Sequence, residues 1–293
     1  MNNYRKIVVH VNDSDRSSQV LAYATMMAAN HGAALCAVYA AAPLHVGAYV
    51  SPETAMMAVQ LREEAENNRI VKAQNQVFQA AQASNLKIDF QRAGDNPIRA
   101  LIAYARMADL VIVGQPVSQP SKDQTDGQSE RFASQLLVAA ACPIIFVPNT
   151  QTVASGAQRI LVAWSGTRES ARALKDALPF LQRAKTVEVL RFGIASVEED
   201  EQLNGVAAYL QAHGVAATYS VKPVRHLSTS ERLLTPTVVD ASIAELLLSH
   251  AADTDANLIV MGGYGHSRMF ERVLGGVTRT LLSSMTVPVL MSH

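Results

Sequence analysis

The chain reads as an α/β protein of two repeated doubly wound domains, each a five-stranded parallel sheet in the order 3-2-1-4-5 with helices on both faces. Three observations predict this. Continuous apolar runs, suited to strands buried on both faces, alternate with segments of helical length, which is the pattern of successive βαβ units. Two stretches recur: Arg5-Lys6-Ile7-Val8-Val9 as Gln158-Arg159-Ile160-Leu161-Val162, and Asp109-Leu110-Val111-Ile112-Val113-Gly114 as Asn257-Leu258-Ile259-Val260-Met261-Gly262. Each half also closes on a short strand entered through proline, Pro143-Ile144-Ile145-Phe146-Val147 and Pro288-Val289-Leu290-Met291. The length of 293 residues suits two units of roughly 100–200 residues.

In the first half, the apolar runs place strands near 5–11, 34–41, 86–92, 109–114 and 143–148. The polar turn Asn12-Asp13-Ser14 opens a helix near 14–30, and further helices are expected near 52–84, 96–107 and 130–141. The long helix carries apolar Met56, Met57, Val59, Leu61, Ile70, Val71, Val77 and Phe78, a stripe expected to pack on the sheet or the sister domain. Gln115 to Gln128, rich in Ser, Gln, Pro and Asp, reads as a mobile polar loop. The small, polar stretch from Asn149 to Ala157 has no periodicity and reads as a linker, so the domains are set at 1–152 and 153–293. In the second half, strands are expected near 159–164, 186–192, 215–222, 257–262 and 287–291, with helices near 168–183, 198–213, 237–253 and 269–285. The segment from Pro223 to Pro236, with Arg225, His226 and Arg232, interrupts that plan as a loop.

Composition narrows the partners. Lys and Arg total 25 against 25 Asp and Glu, so neither nucleic acid nor an anionic membrane surface is an expected partner. No apolar run approaches the roughly 20 residues of a membrane span, and Met1-Asn2-Asn3-Tyr4-Arg5-Lys6 lacks the pattern of a secretion signal, which reads as a cytoplasmic protein. The two cysteines, Cys36 and Cys142, read as buried structural residues, and the eight scattered histidines have no metal-ligand spacing, so no metal site is expected.

The richest local pattern is Gly262-Gly263-Tyr264-Gly265, nine residues, then Gly275-Gly276-Val277-Thr278, directly after the strand Leu258-Ile259-Val260-Met261. Closely spaced glycines at a strand end let backbone N–H groups approach a phosphate, and a following helix adds its positive end. In a doubly wound sheet ligands sit beyond the carboxyl ends of the strands where the winding reverses, which here brings Ser165 opposite Gly262 to Gly265. A hydrolase reading of Ser165 fails, because Ala163 and Thr167 occupy the glycine positions of a nucleophile elbow.

Taken together, the pattern resembles the universal stress protein family in its tandem, two-domain form, over essentially the whole chain. The motif of nucleotide-binding members is Gly, two residues, Gly, nine residues, Gly, then Ser or Thr; Gly262, Gly265 and Gly275 match it, and Gly276 replaces the hydroxyl residue. Ser165 stands where those members carry Asp. The resemblance implies a stress-response regulator or sensor, not a dedicated enzyme, that holds ATP or another adenine nucleotide, with Mg as companion ion. On this basis the N–H groups of Gly265, Gly275, Gly276 and Val277 would meet the phosphates with the Thr278 hydroxyl close by. Ser165 would face ribose or adenine, Ala163 and Met261 would flank it at the strand ends, and His266 would supplement the phosphate contacts. Loss of the hydroxyl at Gly276 costs about 1.5–3 kcal/mol and so weakens binding without abolishing it. The first half has Glu130 and Arg131 at the positions of Gly275 and Gly276, Gln115-Pro116 after Gly114, and Asn12 at the Asp position, and is expected to bind no nucleotide. The final strands are expected to pair as an internal pseudo-dimer, with a further homodimer as a second level of assembly. The alternative function is a ligand-free interaction scaffold that recruits partners.

Overall fold

The computed structural model describes residues 3–40, 52–93, 96–116, 130–149, 156–193, 197–223, 236–263 and 276–293. The first half runs β1 (Lys6–Val11), α1 (Ser17–His31), β2 (Ala34–Tyr39), α2 (Pro52–Ser84), β3 (Ile88–Arg92), α3 (Pro97–Ala105), β4 (Leu110–Gly114), α4 (Glu130–Ala139) and β5 (Ile144–Val147). The second runs β6 (Arg159–Trp164), α5 (Arg168–Asp176), α6 (Leu178–Leu181), β7 (Thr186–Phe192), α7 (Val197–Ala212), β8 (Thr218–Lys222), α8 (Pro236–Asp253), β9 (Leu258–Gly262), α9 (Gly276–Ser284) and β10 (Val289–Ser292).

All the strands join one ten-stranded sheet in the order β3-β2-β1-β4-β5-β10-β9-β6-β7-β8. Each half therefore has the expected 3-2-1-4-5 order, with parallel neighbours throughout. The halves join where β5 and β10 run antiparallel, with Phe146 opposite Val289, Ile145 opposite Leu290 and Ile144 opposite Met291. Both joining strands are fully buried, while the outer strands β3 and β8 are partly exposed. Residues alternate between two cores, one on each face. One core gathers residues of α1, α2, α5, α6 and α7, the other those of α3, α4, α8 and α9, and both run through the two halves.

Three details depart from the sequence reading. The helix expected over 168–183 is two helices meeting at Ala177, because Pro179 has no N–H to continue the first ladder. The strand expected from 215 begins at Thr218, since Gly214 takes a left-handed φ of 72° and Val215 N–H turns back to the Leu210 carbonyl oxygen, closing α7. Gly32 with Ala33 closes α1 in the same way. The stripe of α2 is only partly inward. Ile70, Ala73 and Val77 are buried at helical spacing, whereas Val71 and Phe78 lie one residue, about 100°, further round and are exposed. Met56, Met57, Val59 and Leu61 are also exposed, because a 33-residue helix of about 50 Å outruns a sheet whose strands span about 20 Å.

A second junction lies on the face of α1. The Tyr4 hydroxyl donates to the Asp176 carbonyl oxygen at 2.6 Å, and the rings of Tyr4, His31 and Phe180 meet with centroids 5.0–5.1 Å apart. Arg183 donates to the Asn30 carbonyl oxygen, and to Asn3 Oδ1 at 2.7 Å. Burial, reinforced by the Arg183 guanidinium, pushes the His31 imidazole down to about 4. Burial also lowers His10, whose bond to the Ala40 carbonyl oxygen opposes the shift only in part. The folded protein keeps His31 neutral down to about 4, whereas the unfolded chain takes up a proton near the ordinary 6.5, so stability falls as pH drops through that window. Acidification from about pH 7 to about pH 5 should lower the melting temperature of the wild type more than that of a His31→Leu variant. Equal drops in the two proteins would remove His31 from the junction's acid sensitivity.

Candidate functional site

Strand β6 lies between β7 and β9, and its register sets Ala163 beside Met261. The expected adjacency of the first and fourth strands is thus present, and Ser165 and Gly262 follow at their carboxyl ends. Trp164 packs on the first core beneath the turn. Gly166 then adopts a left-handed φ of 71°, and Thr167 caps α5. The cap is reciprocal: Thr167 Oγ1 accepts from Ser170 N–H at 3.3 Å, and Ser170 Oγ accepts from Thr167 N–H at 3.1 Å. This fixes the turn, leaving the Ser165 hydroxyl exposed and 3.1 Å from Thr167 Oγ1. Gln202 of α7 closes over the turn, for a Cβ on Gly166 would lie 2.5 Å from its Oε1, and Arg191 of β7 donates to that same oxygen at 3.2 Å.

Gly262 has a packing duty independent of any ligand. A Cβ there would lie 2.5 Å from the backbone nitrogen of Ser170 and 2.6 Å from the backbone carbon of Glu169, so α5 can begin against the end of β9 only above a glycine. Gly263 meets the other domain, where a Cβ would lie 2.4 Å from Leu137 Cδ2 of α4. Glu169, buried beside Gly262, brings a carboxylate to the lip of the crevice. Burial pushes that carboxyl up, but hydrogen bonds from its own N–H and from Arg168 and Thr167, with the Arg168 charge, outweigh this and hold it low. Arg168 Nε sits 3.2 Å from its Oε1.

On the other side of the motif, Gly276, Val277 and Thr278 form the first turn of α9, whose leading N–H groups have no partners within the helix. Val277 packs its side chain on the second core and Thr278 is buried, so Val277 offers a ligand only its backbone. Gly265, His266 and Gly275 lie outside the described residues, as do the remainder of the 223–236 loop beyond Pro223 up to Pro236 and the domain boundary at 152. Glu169, Arg191 and Gln202 were not singled out by the sequence reading. Only Glu169 carried a signal, an acidic residue in the first turn after a Thr cap; the other two depend on how β7 and α7 pack.

The equivalent turn of the first domain is bonded to the protein's own groups. Asn12 is buried, and its Oδ1 accepts from Ser14 N–H at 3.0 Å, Ser14 Oγ at 2.6 Å and Ser17 Oγ at 2.8 Å. Helix α2 ties down the rest of the turn: Arg69 Nε lies 3.3 Å from Asp13 Oδ2, Lys72 Nζ 2.9 Å from Asp15 Oδ1, and Gln76 donates to the Ser14 carbonyl oxygen at 3.1 Å. Gln115, expected to start a mobile loop, is buried and hydrogen-bonded; the rest of that loop beyond Pro116 lies outside the described residues. The difference between the halves is visible in Gly114, where a Cβ would sit 3.4 Å from Val20 Cγ2, an ordinary contact. Gly114→Ala should therefore change stability by less than about 1 kcal/mol, while Gly262→Ala, which must displace the α5 backbone, should cost about 1–3 kcal/mol. Denaturant midpoints of the two variants would check this, and equal losses would refute the packing argument.

Among the described residues no group of three or more His, Cys, Asp and Glu could hold a metal ion, and no helix is long and apolar enough to cross a membrane. The family model of the universal stress protein family matches residues 3–148 and again 156–293. In fold, the chain is similar to a universal stress protein from Archaeoglobus fulgidus DSM 4304, at 13% identity and a TM-score of 0.68, covering 98% of this chain and 97% of that one. It is also similar to a functionally unknown protein from Pseudomonas aeruginosa PAO1, at 16% identity and a TM-score of 0.56, covering 99% of this chain and 92% of that one. No curated protein matches the sequence. Two successive matches to one family model, on two copies of one strand order, make this chain a tandem member of the universal stress protein family.

Proposed function

We propose that the protein is a stress-response regulator or sensor that binds one adenine nucleotide, ATP before ADP or AMP, in its second domain, 153–293, while the first, 1–152, binds none. The observation that carries this reading is an asymmetry at one place in the fold. The crevice between β6 and β9 combines an exposed Ser165, a strand end of glycines and the first turn of α9, whose leading N–H groups have no partner within the helix, whereas the equivalent turn in the first domain is bonded through Asn12 and α2. A helix amino end and glycine backbone suit a phosphate, and the rest of the motif, Gly265, His266 and Gly275, would complete the cradle. Ala163, Ser165 and Met261 would flank the sugar and base, and Gly262, Gly276, Val277 and Thr278 the phosphates. Mg would arrive on the nucleotide's own phosphates, since the carboxylate beside the crevice, Glu169, is already bonded to Arg168.

Among the described residues Ser165 has no histidine or carboxylate bonded to it that would make it a nucleophile, and its hydroxyl lies beside that of Thr167. The protein is read as a binder, acting in the cytoplasm, with nucleic acid and membranes outside its partners and a further homodimer as its higher assembly. The exposed Met56, Met57, Val59 and Leu61 of α2 favour a second reading, a scaffold that recruits protein partners without a ligand.

Calorimetric titration with ATP decides between them. Micromolar binding at one site per chain, lost in a Gly265→Asp, Gly275→Glu double variant, is the expected result. Absence of heat at millimolar ATP would overturn the nucleotide reading and leave the scaffold.

A further inference from the structure

Gln115 stands immediately after Gly114, at the position that Gly263 holds in the second half. It is a first-domain residue, yet the amide nitrogen of its side chain is spent on the second domain. Its Nε2 donates to the carbonyl oxygens of Leu282 at 2.8 Å and Ser283 at 3.1 Å, both in the last turn of α9. Its Oε1 accepts from Asn149 N–H at 2.8 Å, and its own N–H donates to the Val147 carbonyl oxygen at 2.7 Å. The residue is buried, so these bonds are shielded from competing water. The final carbonyls of a helix have no partners within it, and here a side chain from the other domain supplies them.

The contact is half of an unequal exchange across the pseudo-twofold. Leu137 of α4 and Leu282 of α9 are matched positions, each six residues before the proline that opens the final strand, Pro143 or Pro288. On one side Gln115 grips the backbone at Leu282; on the other, Gly263 has no side chain and Leu137 occupies the space. The Gly263 carbonyl oxygen is in turn 3.2 Å from Nδ1 of His293. The first domain thus touches both described arms of the glycine motif, the strand end through Leu137 and the helix through Gln115. Helix α9 has nine residues, about 13 Å, so it is too short to be stable alone and stiff enough that holding one end places the other.

We infer that Gln115 is a positioning residue for the second domain's nucleotide site, and that the first domain serves as a frame holding α9 in register with the end of β9. The inference rests on the nucleotide reading above. By fixing the carboxyl end of α9, the buried amide sets where the N–H groups of Gly276 and Val277 stand relative to Gly262, at the opposite end of the same helix. The first domain, its own turn tied to α2, keeps a role in binding without touching ligand.

The test uses the full chain with two variants. Gln115→Met removes every side-chain bond. Gln115→Glu keeps the acceptor for Asn149 N–H and turns an oxygen, in place of the donor, towards the two α9 carbonyls. Both should raise the Kd for ATP about five- to tenfold and speed hydrogen exchange in 276–284 while β6 and β9 retain wild-type protection. Wild-type Kd values in both variants would overturn the positioning role alone. So would faster exchange spread evenly over both domains, which marks simple destabilisation. Failure of the wild type itself to bind ATP would overturn the nucleotide reading and the positioning role with it.

Discussion

The antiparallel pairing of β5 with β10 is the constraint on which the rest of the molecule depends. A domain ending in a four-residue apolar strand leaves a row of unpaired N–H and C=O groups beside side chains that belong in a core. Pairing the two final strands removes both edges at once. It also makes the two cores continuous, because Ile145 and Leu290 fall in one and Phe146 and Val289 in the other. The remaining edges, β3 and β8, are the least buried strands and lie at the far ends of the sheet. The pairing also brings Leu137 against Gly263 and Gln115 against α9, contacts that a single domain could not make.

Once the halves are joined, they no longer need to carry the same function. In the first, the turn after β1 has become a structural knot: Asn12 satisfies three donors, and α2 contributes Arg69, Lys72 and Gln76. In the second, the same turn has Gly166 in a left-handed conformation, an exposed serine and a helix start seated on Gly262. The long α2 of the first half meets α7, half its length, as its counterpart in the second. Duplication has left one domain with its turn bonded to α2 where the other keeps an exposed serine hydroxyl.

Much of this was legible in the sequence because it follows from periodicity and repetition. Strands β1, β4 and β5 and their copies are apolar runs, and the boundaries of α2 at Pro52 and Ser84 agree with the expected 52–84. What escaped were effects of packing at a distance. The break at Ala177 follows from Pro179, which a helical pattern absorbs without trace. The outward-facing Met56, Met57, Val59 and Leu61 look like a core stripe until the length of the helix is set against that of the sheet. Gln115 looked like the first residue of a polar loop, and only the joined domains show its acceptors in α9.

The glycine motif is the clearest case of a pattern with two causes. Read along the chain, its glycines suggest backbone laid open to a phosphate. In three dimensions Gly262 is glycine because the first turn of α5 leaves no room for a Cβ, and Gly263 because Leu137 of the other domain leaves none either. Neither cause excludes the other. The α5 backbone against Gly262 and the Leu137 side chain against Gly263 confine the end of β9, and a strand end so confined is a well-defined edge for a binding crevice. Spacing alone cannot separate the two duties, and substituting a glycine packed against α5 or α4 disturbs the frame before it tests the ligand. A ligand test therefore belongs at Gly265 and Gly275, and a test of the frame at Gly262 and Gln115.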